Sequence, residues 1–99
     1  MLNEAALSAA LDACPGERVT LEYMLSRIVS KDFTVLPDST VTICNITLDN
    51  GYSVRGESAC VDPANFNREI GQHYAEKQAM DKLWPLFGFL LAEKRSRAA

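Results

Sequence analysis

Histidine is nearly absent from this chain, cysteine is sparse, and its acids outnumber its bases. The only histidine is His73, and the three cysteines, Cys14, Cys44 and Cys60, form no CxxC pair. Structural metal sites draw on closely spaced Cys and His ligands, so none is expected, and no cofactor is expected either. An odd number of thiols suits an oxidising compartment poorly, because one would be left unpaired; all three read as reduced. With 10 Lys and Arg against 13 Asp and Glu, the net charge is -3, whereas a dedicated nucleic-acid binder usually carries a basic surplus. Long apolar runs are missing too. The longest near the end, residues 84–92, contains Pro85 and Gly88 and is far shorter than the roughly 20 residues of a membrane span. The first residues carry Glu4 and Asp12 and lack the basic start and apolar run of a targeting segment.

What is present is an ordinary globular balance, over a length of 99 residues that suits one domain. Asn3 caps a helix over residues 4–13, ended by Cys14-Pro15-Gly16. Thr20 caps a second, in which Leu21, Met24, Leu25, Ile28 and Val29 recur at i, i+3, i+4, i+7 and i+8. Leu36-Pro37-Asp38-Ser39 is a loop. Residues 40–48 are rich in β-branched side chains and form a strand; Asp49-Asn50-Gly51 turns; residues 52–58 return. A three-residue loop with Gly51 left-handed sets Ile46 opposite Val54 and Cys44 opposite Gly56, gathering the apolar groups on one face. Asn45, Thr47, Ser53, Arg55 and Glu57 then share the polar face.

Asp62-Pro63 opens a long helix to about residue 84. It carries two apolar stripes, one of Phe66, Ile70, Tyr74, Met80 and Trp84, the other of Ala75, Ala79 and Leu83, and is expected to be sandwiched. Pro85 is expected to kink the chain or restart it as a short helix. The fold class is α+β: N-terminal helices, and a β-hairpin (about 40–48 and 52–58) packed on the long helix (about 63–84), followed by the short one. A two-stranded hairpin alone is marginal. Packing on the long helix is the expected support, with a further strand from residues 33–36 or pairing across a homodimer as alternatives.

Chemistry is harder to place. Cys60 lies just before the long helix, where a dipole can lower a thiol pKa, and His73 follows 13 residues later. The plainer reading, a small buried thiol and a packed or surface histidine, is adopted. Glu57, Asp62 and Glu69 are not fixed at a separation suited to paired acid–base work, so no enzyme is expected. Arg55, Ser58 and Lys82 hold a phosphate only if the fold brings them together; otherwise they mark a strand end. Gly71 inside a helix costs about 1 kcal/mol relative to Ala, which points to the close approach of a backbone or ligand. Trp84, Phe87 and Phe89 are core or, if exposed, a protein interface or dimer seam. The hairpin followed by a helix bearing Lys77 and Lys82 is similar in outline to double-stranded RNA binding, but without the third strand and the lysine cluster at the helix start.

One ordered string is specific: Ile43-Cys44-Asn45-Ile46-Thr47-Leu48-Asp49-Asn50-Gly51-Tyr52, then Val54, Gly56-Glu57-Ser58-Ala59-Cys60, Pro63, Asn65-Phe66 and Glu69-Ile70-Gly71. Ala75, Ala79, Lys82, Trp84-Pro85-Leu86, Gly88 and Leu90-Leu91 complete it. It resembles the gene-49/gene-66 family of small tailed-phage and prophage proteins. The likeness extends back to Arg18, with residues 1–16 outside it as an extra helix. It implies a phage origin and a host bacterial cytoplasm, and carries no catalytic residues. Glu57, Ser58, Asn65, Lys82 and Trp84 belong to the string without an evident role in hairpin or helix, and with Arg55 they are the candidate ligand- or partner-binding residues. The expectation is a non-enzymatic accessory protein acting in counter-defence or host takeover, either by blocking a host protein or by sequestering a small nucleotide signal. In sequestration Lys82 and Arg55 meet phosphates, and Trp84 or Tyr52 stacks on a base. The alternative is nucleic-acid binding through the polar hairpin face and the C-terminal basic residues Lys94, Arg95 and Arg97.

Overall fold

The β-branched hairpin forms in the register that collects its apolar groups. Cys44 pairs with Gly56 and Ile46 with Val54, the Leu48 N–H donates to the Tyr52 carbonyl at 2.8 Å, and Gly51 has φ 89°. A computed structural model describes residues 1–98. Around strands β2 (Val41–Leu48) and β3 (Ser53–Ala59) it places helices α1 (Glu4–Asp12) and α2 (Leu21–Arg27), strand β1 (Ile28–Val35), a 3-10 turn (Pro63–Asn65) and helix α3 (Arg68–Ala98). The sheet is antiparallel in the order β1-β2-β3.

Strand β1 corrects the second helix. Thr20 caps α2, its hydroxyl accepting the Tyr23 N–H at 3.1 Å, but the helix stops at Arg27 and Ile28 is already extended. Residues 28–35 then pair with β2, far beyond the short segment 33–36 considered from sequence. Ile28, Val29, Phe33, Thr34 and Val35 favour a pleated surface, and the hairpin's free edge offers a ladder of unpaired backbone groups. A short helix, with few internal hydrogen bonds, has little to set against that.

The long helix also differs from expectation at both ends. Asp62 caps only the 3-10 turn, accepting the Ala64 N–H at 2.9 Å, and Phe66 returns to extended backbone. The helix starts at Arg68, with Asn67 Oδ1 accepting the Ile70 N–H at 3.1 Å. It then runs unbroken through Pro85 to Ala98. A proline in a helix interior costs about 3 kcal/mol, but burial of Leu83 on one side of it and Phe87 on the other holds both halves on the same sheet.

Of the two apolar stripes, only the one of Ala75, Ala79 and Leu83, continued by Phe87, is buried. It packs with Met24 and Val54 on Cys44, Ile46 and Leu48 of β2. Ile70, Tyr74 and Trp84 of the other stripe remain 55%, 57% and 39% exposed, so the helix is covered on one side and is not sandwiched. Helix α1 buries no residue.

Two glycines set the distance between the layers. A Cβ on Gly56 would overlap the backbone of Ala75 and Ala79. A Cβ on Gly71 would stand 2.6 Å from Thr42 Oγ1, a buried hydroxyl without a hydrogen-bond partner among the described residues. The Gly71 carbonyl instead accepts from Ser58 Oγ at 2.6 Å. The close approach read from Gly71 is thus to the sheet. In denaturant unfolding, Gly56→Ala is expected to cost about 3 kcal/mol or more, because backbone rather than a side chain must move. Gly71→Ala is expected to destabilise despite alanine's better helix propensity. Adding Thr42→Ala is expected to recover about 1 kcal/mol or more of that loss, a coupling that a double-mutant cycle reads directly.

Candidate functional site

The six residues singled out from the sequence fall in three places. Arg55, Glu57 and Lys82 meet at the outer edge of β3 around a shallow concavity of about 310 Å3. Ser58 and Asn65 line a different one of about 200 Å3, between the end of β3 and the start of α3. Trp84 lies on the exposed side of α3 and lines none of these. The strand's alternation turns Arg55 and Ser58 to opposite faces, so Arg55, Ser58 and Lys82 do not converge on one phosphate. Lys82 and Trp84, two residues apart on a helix, point about 200° from each other, which separates the expected phosphate and base contacts.

Lys82 and Ser58 have structural partners. Lys82 Nζ donates to the Arg55 carbonyl at 2.5 Å and Gln78 Oε1 accepts the Glu57 N–H at 2.7 Å, so α3 satisfies outward-facing backbone groups of the edge strand. Arg55 Nη1 lies on the open face of the sheet and donates to Asn45 Oδ1 and Ser53 Oγ, each at 3.0 Å. By register the same face also carries the acids Asp32 and Glu57, so it is not a basic surface.

A larger concavity lies elsewhere, where α2 and the chain before it meet the C-terminal half of α3. It is a cleft of about 520 Å3, with Arg18, Tyr23, Arg27, Phe87 and Lys94 in its lining. Small-ligand sites span roughly 300–1,000 Å3. Helical spacing i, i+4 sets Tyr23 beside Arg27. Arg27 Nη1 donates to the Tyr23 hydroxyl at 3.0 Å, and Nε donates to both carboxylate oxygens of Asp49, at 2.7 and 2.8 Å. The Asp49 hydrogen bond, then that of Tyr23, raises the Arg27 pKa further, so this charge is permanent. The guanidinium lies 5.7 Å from the centre of the Phe87 ring and 5.9 Å from that of Tyr23, and the two rings meet edge to face at 6.0 Å.

The other two cations are held loosely. Arg18 stands 3.6 Å from Asp12 and Lys94 3.9 Å from Glu17, all four side chains exposed, Arg18 the least. Exposed pairs of this kind contribute about 0–1 kcal/mol, so an incoming anion displaces these carboxylates at little cost. Arg27 is oriented and fixed, while Arg18 and Lys94 are free to re-partner. None of Arg18, Tyr23 and Arg27 was singled out from the sequence as a site residue, and Lys94 entered only among the C-terminal basic residues of the nucleic-acid alternative; the spacing of Tyr23 and Arg27 was the only local signal for this cleft.

Across Phe87 a second, apolar hollow of about 300 Å3 lies between Leu48, Tyr52, Leu86 and Phe89. The thiols and the histidine are dispersed. Burial pushes the Cys44 thiol up, and nearby Glu76 adds to this, which keeps it protonated and inert. Cys60 Sγ donates to the Asp62 carbonyl at 3.0 Å, and His73 packs edge-on to Tyr74 at 5.2 Å. Among the described residues no group of three or more His, Cys, Asp or Glu side chains could hold a metal, and no helix is long and apolar enough to cross a membrane.

Comparison with known proteins gives one positive finding: residues 19–95 match the Phage protein (N4 Gp49/phage Sf6 gene 66) family. No curated protein and no solved structure matches the chain.

Proposed function

The chain belongs to the Phage protein (N4 Gp49/phage Sf6 gene 66) family, and from that premise we propose that it is a non-enzymatic phage accessory protein that sequesters a small nucleotide signal in the host bacterial cytoplasm. The observation that carries this reading is the Arg27 guanidinium, fixed by Asp49 and Tyr23 against Phe87 and flanked by Arg18 and Lys94. Phosphates take the place of Asp12 and Glu17 on the outer cations, because charge-assisted hydrogen bonds to phosphate are stronger than a loose exposed pair. Half-exposed Tyr23 offers its ring to the base, with buried Phe87 as the wall behind it. Sequestration needs affinity and no chemical step. It lowers the free concentration of a signal on which a host defence depends, and this is how binding alone would serve counter-defence. The roles first given to Lys82, Arg55, Trp84 and Tyr52 pass to Arg27, Arg18, Lys94 and Tyr23.

A second reading, nucleic-acid binding, gains from β1, the third strand that the hairpin outline lacked. Charge weighs against it. The approach to α3 carries Asp62, Asn65, Asn67 and Glu69 with Arg68 as its one cation, and the open sheet face is not basic. Block of a host protein has the exposed rings of Tyr52, Trp84 and Phe89 in its favour.

Titration calorimetry against a panel of cyclic mono- and dinucleotides tests the first reading. At least one is expected to bind, and the double variant Arg18→Ala, Lys94→Ala is expected to weaken it about tenfold or more. That variant is expected to leave unfolding stability within about 0.5 kcal/mol, as exposed surface substitutions do. No binding across the panel, together with no retained small mass in native mass spectrometry of protein from infected cells, would overturn the reading.

A further inference from the structure

We propose that the exposed side of α3 is a two-fold interface on which a second copy of this chain packs antiparallel, with the dyad at Gly88. The inference rests on the monomer's own surface and is independent of the cleft.

On a helix turning about 100° per residue, Asp81, Trp84, Gly88, Ala92 and Arg95 fall along one side. It is the side turned away from the sheet, since Ala75, Ala79, Leu83 and Phe87 take the other. All five are exposed. Gly88 and its neighbour Pro85 are both poor helix formers in a helix interior. Three of the other glycines are explained by the fold, Gly56 and Gly71 admitting the sheet and Gly51 having positive φ, while Gly16 lies in an exposed bend outside any helix, where glycine costs nothing in helix propensity. Gly88 has no such reason in the monomer, because a Cβ there would meet nothing within 4 Å. A position without a side chain on an exposed helix face does, however, allow another helix backbone to come close.

The identity of the occupant follows from self-complementarity. Under a two-fold axis at Gly88, each residue meets the one equally far on its other side, as an isologous interface requires. Asp81 then faces Arg95 of the second copy, and Arg95 faces its Asp81, giving two opposite-charge pairs. Trp84, a large ring 39% exposed in the monomer, faces the small Ala92, and Gly88 meets Gly88 at the closest point. Large meets small and acid meets base on both sides of the axis. Among the described residues Asp81 is engaged in the monomer only by Lys77, at 3.2 Å and in solvent, a pair weak enough to yield to Arg95. Trp84 thereby becomes the aromatic anchor of an interface core, with the charge pairs towards its rim.

Sedimentation equilibrium of the full chain across the micromolar range tests the proposal. The wild-type protein is expected to dimerise. Asp81→Arg and Arg95→Asp are each expected to raise the dimer dissociation constant about tenfold or more, because each sets like charges against each other twice. The double swap Asp81→Arg, Arg95→Asp is expected to restore it. Gly88→Gln, a better helix former at an exposed site, is expected to keep the helical circular dichroism and yield a monomer. A wild-type chain that stays monomeric overturns the proposal, and so does a dimer indifferent to Gly88→Gln and to the single swaps. A double swap that fails to regain association also overturns it, since the charge pairing itself would then be wrong.

Discussion

The contact between Gly56 and the Ala75–Ala79 turn of α3 is the constraint on which the rest of the structure depends. With no side chain at 56 and methyl groups at 75 and 79, helix and strand backbones meet directly. That short distance lets Gln78 and Lys82, on the flank of the helix, reach the β3 backbone at Glu57 and Arg55. One edge of the sheet is thus capped by its own helix, which blunts the tendency of an open strand to recruit another chain. Gly71 and Ser58 repeat the arrangement at the other end of β3, where a side-chain hydroxyl meets a helix carbonyl. Residues whose place in the family string looked unexplained, Ser58 and Lys82 among them, therefore act first as clamps between layers.

The cleft depends on a different junction. Because α2 ends at Arg27 and β1 begins at Ile28, Arg27 lies at the end of the sheet where the β2–β3 turn lies. The Asp49 N–H donates to the Arg27 carbonyl at 2.9 Å while its carboxylate holds the guanidinium. Backbone and side chain thus fix the same pair, and Phe87 reaches it only because α3 continues past Pro85. Had the helix broken at the proline, the cleft would lack its floor. The unbroken helix is a condition for the site as well as for the core.

Much of this was legible where a local rule had a single outcome. The hairpin register followed from the demand that Cys44, Ile46 and Val54 share a face, and Thr20 and Asn3 announced their helices by capping. The buried stripe of Ala75, Ala79 and Leu83 was visible, but its rival of Ile70, Tyr74 and Trp84 was equally apolar, and nothing local said which would meet the sheet; Gly56, which accepts only small neighbours, decides it. The α2–β1 boundary was illegible for a related reason. Ile28 and Val29 continue a helical period and also suit a strand, and the choice between them depends on β2 being alongside. The candidate site was barely legible, since Arg27 gains its place from Asp49, 22 residues away, and from a helix expected to stop short of Phe87.

Helix α1 buries nothing, yet the chain around it supplies Asp12, Glu17 and Arg18 to the charge pairs beside the cleft. These residues precede the span 19–95 matched to the family, whereas Tyr23, Arg27, Phe87 and Lys94 lie within it. The cleft thus has a fixed wall, built into the sheet and helix framework, and a loosely held wall outside that framework. The two walls face different physical demands. Moving Arg27 would break a hydrogen-bonded, partly buried network and disturb the core beside Phe87, whereas changing Glu17 or Arg18 alters only exposed pairs of small energy. If the cleft binds as proposed, the framework sets the general chemistry, a ring beside a permanent cation. Selectivity among ligands then rests with the N-terminal segment, the part of the chain that can change without cost to the fold.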